Sequence, residues 1–195
     1  MAVAVIDSGG ANLGSVVHAL NRLGVEGRLT REAAAIRTAE RVILPGVGAA
    51  GSAMHALDRV GLVDVIRALN QPVLGICLGL QLLFERSEEG DVSCLGIMPG
   101  RVGRLAGGAG LRLPHTGWNR LEWRAKDPLA EGLNAGDWFY FVHAYAAPPA
   151  SAVACATHGQ EFAAVVRRGN FAACQFHPEK SARAGARFLS NFLRA

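Results

Sequence analysis

The first half of the chain alternates short apolar runs with longer amphipathic segments, and this pattern constrains the fold more than any other feature. The predicted strands are residues 3–6, 25–29, 41–44 and 73–76. The predicted helices, with apolar side chains at helical spacing, are residues 12–23, 50–69 and 78–85. Gly61 is expected to interrupt the second of these helices. Strands that alternate with helices form parallel sheets covered on both faces, so we predict an α/β fold with a mostly parallel central sheet.

The second half of the chain has a different pattern, in which short strands are separated by tight turns. The predicted strands are residues 139–142, 152–156, 162–166 and 171–176. Gly159 and Gly169 lie between the last three, as in hairpin turns, and indicate an additional antiparallel region. Ser181 is the expected N-cap of a closing helix. The buried face of that helix is expected to carry Ala182, Ala186, Leu189 and Leu193.

Length and composition favour one folded domain over residues 1–195, because a domain takes roughly 150 residues. Half of the residues are hydrophobic and 18% are charged, which excludes a disordered chain. The net charge of +4 is spread thinly and does not indicate a nucleic-acid surface. No apolar run is long enough to span a membrane, and Met1 is not followed by a basic, then apolar leader. We therefore expect a cytoplasmic protein.

The four cysteines are far apart in the sequence, and no pair has the spacing of a structural zinc site. They are Cys77, Cys94, Cys155 and Cys174. Their even number leaves a disulfide open, although a cytoplasmic location favours reduced thiols. Of these, only Cys77 stands in a segment typical of a catalytic nucleophile; the other three are most simply core or near-surface thiols.

Residues 75–79 read Gly-Ile-Cys-Leu-Gly, with a predicted strand before them and a predicted helix after them. This is the setting of a nucleophile elbow, in which the nucleophile occupies a tight strand-to-helix turn. At the N-terminus of a helix, Cys77 would be favoured as a thiolate. The alternative is a small buried cysteine at the end of a core strand.

Residues 176–179 read Phe-His-Pro-Glu and supply a base with an orienting group. Side chains two residues apart in an extended chain point the same way, so His177 and Glu179 are expected to lie side by side. His177 would take up the cysteine proton and return it to the leaving group, while Glu179 fixes the imidazole tautomer. Alone, such a segment is typical of a surface turn.

Two glycine-rich segments follow other predicted strands. Residues 44–48 read Leu-Pro-Gly-Val-Gly, and the N–H of Val47 with that of Leu78 would form an oxyanion hole. The alternative is an ordinary turn at the end of a strand. Residues 9–14 lack both the Gly-Lys-Ser/Thr ending of a P-loop and the spacing of a dinucleotide fingerprint, so a nucleotide site is not favoured.

Taken together, residues 44–48, 75–81 and 175–179 resemble the three signatures of the class I, or triad, glutamine amidotransferases. Residues 114–119 and 140–145 are similar to segments of one branch of this family, the glutaminase subunits of imidazole glycerol phosphate synthases. Asp7, the Gly-x-Asn-Leu of residues 10–13 and Lys180-Ser181 extend the resemblance over nearly the full chain. The departures from the family pattern are Ser8, Thr116 and Ala144.

The resemblance implies that Cys77, His177 and Glu179 hydrolyse glutamine to glutamate and ammonia through a thioester, without metal or cofactor. The ammonia would pass to a (β/α)8-barrel cyclase subunit in a heterodimer, which forms imidazole glycerol phosphate and aminoimidazole carboxamide ribotide in histidine biosynthesis. We expect the Val47 N–H to rest turned away from the site until that partner docks. No nucleic-acid or membrane partner is implied. The implied glutamine contacts are Gly46, Gly48, Gln81, His143, Ala144 and Tyr145. The implied partner contacts are Asn12, Trp118, Tyr140 and Lys180.

Three alternatives share part of this pattern. The first is the glutaminase of another synthase, such as that of pyridoxal phosphate synthesis, which residues 114–119 and 140–145 argue against. The second is a stand-alone cysteine hydrolase, which would turn over without a partner. The third is a catalytically silent binding scaffold, which would have no need of Cys77, His177 and Glu179 together.

Overall fold

The computed structural model describes residues 1–9, 13–107 and 110–195. The α-helices of these residues are α1 (Leu13–Arg22), α2 (Ala33–Thr38), α3 (Ala50–Arg59), α4 (Leu62–Arg67), α5 (Leu78–Leu82) and α6 (Ala182–Arg194). The strands are β1 (Val3–Ile6), β2 (Gly27–Thr30), β3 (Arg41–Gly46), β4 (Val73–Cys77), β5 (Arg86–Ser87), β6 (Val92–Ser93), β7 (Arg101–Arg104), β8 (His115–Asn119), β9 (Glu122–Trp123), β10 (Phe139–His143), β11 (Tyr145–Ala146), β12 (Ala152–His158), β13 (Gln160–Arg168) and β14 (Phe171–Cys174). Short 3-10 helices cover Pro128–Ala130, Pro149–Ser151 and Pro178–Lys180.

An eight-stranded sheet in the order β2-β1-β3-β4-β14-β13-β12-β9 forms the centre of the molecule. The five strands from β2 to β14 are parallel, and the last three are antiparallel to their neighbours. This arrangement confirms the predicted α/β class, with a mostly parallel sheet and an antiparallel region in the second half of the chain. β1 and β4 are buried along their whole length, as expected of central strands covered on both faces.

Two hydrophobic clusters pack on the two faces of the sheet. On one face, α3 and α4 contribute Leu57 and Ile66, which are fully buried. On the other face, Leu20 of α1 packs in the same cluster as Phe188 of α6. Each helix therefore buries an apolar stripe against the sheet, and the carboxyl ends of β3, β4 and β14 are left to build a site.

The structure corrects the predicted end of the third strand. β3 continues through Pro45 to Gly46, whereas the sequence predicted an end at residue 44. A proline within a sheet removes one N–H donor, but the pairing of β3 with β1 ends at Ile43. The Pro45 carbonyl instead accepts a hydrogen bond from the Ser8 hydroxyl, at 3.1 Å. The strand passes through proline here because no ladder hydrogen bond is lost.

The helix predictions were partly right. Gly61 adopts a left-handed conformation with φ 68° and separates α3 from α4, which confirms the predicted break. The helix predicted over residues 78–85 ends at Leu82, and the strand predicted over residues 25–29 lies at 27–30. In α6, Leu189 and Leu193 are buried as predicted, but Ala182 is exposed. The apolar stripe of α6 is formed by larger side chains, Phe188 and Phe192 among them.

Residues 86–146 form small sheets that the sequence pattern did not reveal, because their strands have two to five residues. One has the order β11-β7-β5-β6. The other pairs β10 with β8, so the strand predicted over residues 139–142 lies outside the central sheet. Residues 108 and 109, in the glycine-rich stretch 106–110, lie outside the described residues. No helix within the described ranges is both long and apolar enough to cross a membrane.

Candidate active site

Cys77 ends β4 and immediately precedes α5, as the elbow prediction requires. Its φ of 53° lies in the left-handed region, where a residue with a side chain is strained. The flanking glycines allow this turn because a Cβ on Gly79 would lie 1.8 Å from the Leu44 carbonyl oxygen. A Cβ on Gly75 would lie 2.9 Å from the backbone of Gly79. Both glycines are therefore needed for α5 to start against β3 and β4.

His177 and Glu179 lie side by side, as the spacing predicted. Nδ1 of His177 is 2.7 Å from Oε1 of Glu179, and both side chains are almost completely buried. Because an ionised carboxylate only accepts hydrogen bonds, Nδ1 of His177 carries a proton. Nε2 is then the ring nitrogen that is available to Cys77. Burial by itself would lower the pKa of His177, but the Cys77 and Glu179 side chains beside it raise the pKa to about 10. Nε2 has no hydrogen-bond partner within the described residues.

The other three cysteines lie apart from this chemistry. All four cysteines are free thiols, so the sequence-based option of a disulfide is not realised. Burial raises the pKa of Cys94 to about 11 and also raises the pKa of Cys155 and of Cys174. These three groups therefore stay protonated at neutral pH, which makes them poor nucleophiles.

A cavity of about 210 Å³ opens beside Cys77 and His177. It brings together the following residues that the sequence placed in the oxyanion hole or the glutamine site: Val47, Gly48, Leu78, Gln81, His143, Ala144 and Tyr145. Gly46 is not part of this lining. It pairs with Cys77 in the sheet and packs on Leu78, where an added Cβ would lie 3.0 Å from the leucine Cβ.

Glu89 also lines the cavity and was missed by the sequence reasoning. Its Oε2 accepts a 2.8 Å hydrogen bond from the Ala50 N–H at the start of α3, which holds the carboxylate in place. Glu89 stands beside a second glutamate in a short polar stretch, which is typical of an exposed turn, so the sequence carries no signal for it. The carboxylate gives the cavity a site for a positively charged group.

A chain of neutral side chains forms the wall that carries His143. Nδ1 of His143 is 2.9 Å from the Tyr145 carbonyl, which can only accept, so Nδ1 carries the proton. Nε2 then accepts from Nδ1 of His115 at 3.1 Å. Nε2 of His115 in turn accepts from the Asn119 side-chain amide at 3.4 Å. Burial lowers the pKa of His143 to about 3 and that of His115 to about 4, so both rings stay neutral.

The residues expected at a partner interface lie close to the catalytic turn. Trp118 is half exposed, and its ring meets the Tyr140 ring edge-on with centroids 5.8 Å apart, across the β8–β10 pair. Lys180 is exposed at the end of the 3-10 helix that contains Glu179. Asn12 lies outside the described residues.

Ser181 and Ser8 have roles that differ from those suggested by their places in the sequence. Ser181 occupies the predicted N-cap position of α6, but its hydroxyl does not cap the helix, because it donates to the His177 carbonyl at 2.6 Å and accepts from the Tyr140 N–H at 2.9 Å. Ser8, where the family commonly has an aromatic residue, is buried against Pro45. Thr116, a second departure, is exposed.

Comparisons with known proteins show the family of the chain. The family model described as "Glutamine amidotransferase class-I" matches residues 4–195. Relatives from Xanthomonas euvesicatoria pv. vesicatoria and Xylella fastidiosa are 56% and 55% identical over 192 residues. Each match covers 98% of this chain and 96% of the relative. Both relatives are named imidazole glycerol phosphate synthase subunit HisH.

Solved structures share the fold at low identity. A structure titled "Crystal structure of glutamine amidotransferase" aligns with a TM-score of 0.76 and 23% identity, over 98% of this chain and 97% of that one. The structure of PurLQS from Thermotoga maritima aligns with a TM-score of 0.73 and 20% identity, over 99% of this chain and 97% of that one. At this identity the likeness concerns the fold alone.

Proposed function

The chain belongs to the class I glutamine amidotransferase family, and we propose that it is the glutaminase subunit of an imidazole glycerol phosphate synthase. One observation carries the chemistry: Cys77 and His177 line a cavity of about 210 Å³, and Glu179 is hydrogen-bonded to His177. The size and lining of this cavity suit one amino acid. The names of the relatives carry the choice of synthase.

The reaction follows from the roles of the three side chains. The Cys77 sulfur, its proton held by Nε2 of His177, attacks the side-chain carbonyl carbon of glutamine. The tetrahedral intermediate then breaks its C–N bond, and His177 gives the proton to the departing ammonia. Water attacks the resulting thioester with His177 as base, the C–S bond breaks, and glutamate leaves. Glu179 stabilises the imidazolium at each of these stages.

The cavity walls would orient glutamine for this attack. The backbone N–H groups of Val47 and Leu78 are proposed to stabilise the oxyanion, since both residues line the cavity beside Cys77. Glu89 is placed to receive the α-ammonium group of the substrate, because it is the carboxylate in the cavity lining. Gln81, His143 and the backbone at residues 144–145 would complete the pocket.

The ammonia would be used by a (β/α)8-barrel cyclase subunit, HisF, and the relatives' designation as a subunit supports a partner of this kind. Trp118, Tyr140 and Lys180 are proposed to contact that partner, together with Asn12. Exposed aromatic side chains beside the active site are typical interface anchors. We place the complex in the cytoplasm, with residues 1–195 acting as one glutaminase domain.

The decisive experiment measures glutamate release from glutamine, first with this chain alone and then with the cyclase subunit and its ribotide substrate. We expect strong activation in the complex, and loss of all activity in Cys77→Ala. Fast release by the isolated chain would instead favour a stand-alone cysteine hydrolase. If the cyclase does not activate the chain, the assay is repeated with the synthase subunit of pyridoxal phosphate synthesis, whose success would favour the other glutaminase branch.

A further inference from the structure

We propose that Gln175 is a catalytic residue of this site, whose side-chain amide donates a hydrogen bond to the Cys77 sulfur and stabilises its thiolate. This inference rests on the proposed glutaminase function and adds a group to its mechanism. Nε2 of Gln175 lies 3.6 Å from Sγ of Cys77, within the range of an N–H···S hydrogen bond. Gln175 is fully buried, so water does not compete for this contact.

The sheet fixes the position of Gln175. The residue directly follows β14, which pairs in parallel with β4, so Gln175 stands level with Cys77 on the neighbouring strand. Its backbone N–H donates to the Ala164 carbonyl at 2.9 Å, which ties it to β13 on the other side. The side chain therefore reaches the sulfur from a backbone that is held on both sides.

The hydrogen bonds around Gln81 fix which end of the Gln175 amide faces the sulfur. Nε2 of Gln81 is 2.9 Å from the Tyr145 carbonyl, which only accepts, so the nitrogen of Gln81 is assigned without ambiguity. The second proton of the same nitrogen points to Oε1 of Gln175, at 3.2 Å. The Gln175 oxygen is thus engaged by Gln81, and its nitrogen is left for Cys77. A reversed amide would place two nitrogens together and an oxygen against the thiolate.

The charges around the sulfur explain what such a donor adds. Besides Cys77, the titratable groups in or beside the cavity are His177, Glu179, His143, Tyr145, Glu89 and Cys174. Of these, His177 supplies the positive charge, His143 stays neutral and Cys174 stays a thiol. A hydrogen bond to an ionised group in a buried site is stronger than one between neutral groups. Gln175 does not titrate, so its donor is available to the sulfur at any pH at which Cys77 is ionised.

The test measures the rate at which iodoacetamide alkylates Cys77 across a range of pH, with mass spectrometry to identify the modified cysteine. Gln175→Met removes the donor without adding charge, and an ionised Gln175→Glu side chain keeps an acceptor for Gln81 but places a negative charge against the sulfur. We expect alkylation at pH 7 to slow by about tenfold or more in both variants, with the pH midpoint moved upward. Gln71→Met, which loses an amide far from the site, is the matched control and is expected to behave as the unsubstituted protein.

A purely structural role for Gln175 would lower the unfolding midpoint of the variants without moving the alkylation midpoint, and that result would overturn the proposal. If neither variant folds, the Gln175 side-chain amide is observed by NMR in the unsubstituted protein and in Cys77→Ala. We expect the amide resonance to shift with pH as Cys77 ionises, and we expect this shift to be absent in Cys77→Ala. A resonance that changes neither with pH nor on substitution of Cys77 would also overturn the proposal. Alkylation needs neither glutamine nor partner, so a shifted profile in a protein without glutaminase activity would refute the proposed function alone.

Discussion

Two walls of the same cavity hold buried histidines in opposite charge states. On the catalytic wall, His177 is paired with a carboxylate and a sulfur, and its pKa is raised to about 10 against the effect of burial. On the recognition wall, His143 is paired with a backbone carbonyl and a second imidazole, and burial lowers its pKa to about 3. Burial disfavours the charged ring in both places, so the chemistry of the partner decides the outcome.

The contrast matches what each wall has to do. A cationic His177 can protonate the departing ammonia and places a positive charge beside the sulfur. A neutral His143 keeps a fixed tautomer and shape, and it adds no charge that would repel the α-ammonium group of a bound substrate. Glu89 then supplies the opposite charge on the part of the lining where that group is proposed to bind.

The largest expected difference lies in the titrations themselves. Between pH 5 and pH 9, NMR should find His177 protonated, while His143 and His115 remain neutral. A raised pKa stabilises the fold below the ordinary value of 6.5, and this contribution is lost as the pH rises toward about 10. A lowered pKa stabilises the fold above 6.5, and this contribution is lost as the pH falls toward about 3 to 4. A His143 that titrates near 6.5 would remove the contrast.

Removing the Glu179 carboxylate should give His177 the same neutral charge state as His143. In Glu179→Gln, burial acts on His177 with less opposition, so the pKa of His177 should fall and the ring should lose its charge at neutral pH. We expect the glutaminase rate to fall by about 10²–10⁴, as for loss of the orienting carboxylate in other catalytic triads. Glu122→Gln, on an exposed strand, is the matched control and should keep full activity. A rate within threefold of the unsubstituted enzyme would argue against a triad.

A substitution on the recognition wall should affect stability and substrate binding more than the chemical step. His143→Phe removes the donor to the Tyr145 carbonyl and leaves Nδ1 of His115 without its acceptor. Loss of these buried hydrogen bonds should cost about 2–3 kcal/mol of unfolding free energy, measured by urea denaturation. We expect KM for glutamine to rise about tenfold and kcat to change less. His55→Gln, on the exposed face of α3, should change neither quantity.

The catalytic wall was largely predictable from local sequence patterns. The residues of the recognition wall were predicted only through the family resemblance, and the hydrogen bonds among them were not predicted. The elbow at Cys77 and the pairing of His177 with Glu179 are local, since each depends on residues within two positions of one another. The register of two strands in a separate sheet brings His115 to His143, 28 positions apart. Gln81 and Gln175 are 94 positions apart and meet only because β14 lies beside β4. Local patterns carry no signal for such contacts.

The fold shows the same division. The alternation of strands and helices predicted the parallel half of the sheet, because the period of the apolar residues reflects local backbone geometry. The small sheets within residues 86–146 depend on pairing between strands of two to five residues, and of these strands only β10 was predicted. Ser181 lies at the predicted N-cap position, but its hydroxyl bonds to the His177 and Tyr140 backbones rather than capping the helix, because tertiary contact overrides the local preference.

The smallest expected effect concerns the link between the two walls. Ser181 joins the turn that carries His177 to β10, the strand that ends at His143, and the His177 N–H also donates to the Tyr140 carbonyl. Ser181→Ala removes the side-chain link and leaves the backbone one, so we expect a loss of about 1 kcal/mol of unfolding free energy. If the Ser181 hydroxyl holds His177 in its position relative to β10, glutaminase activity should fall a few-fold in Ser181→Ala, and the alkylation of Cys77 should slow as well. Ser181→Thr keeps the hydroxyl and should restore both the glutaminase activity and the alkylation rate. Unchanged activity in Ser181→Ala would show that the position of His177 does not depend on this link to the strand that carries His143.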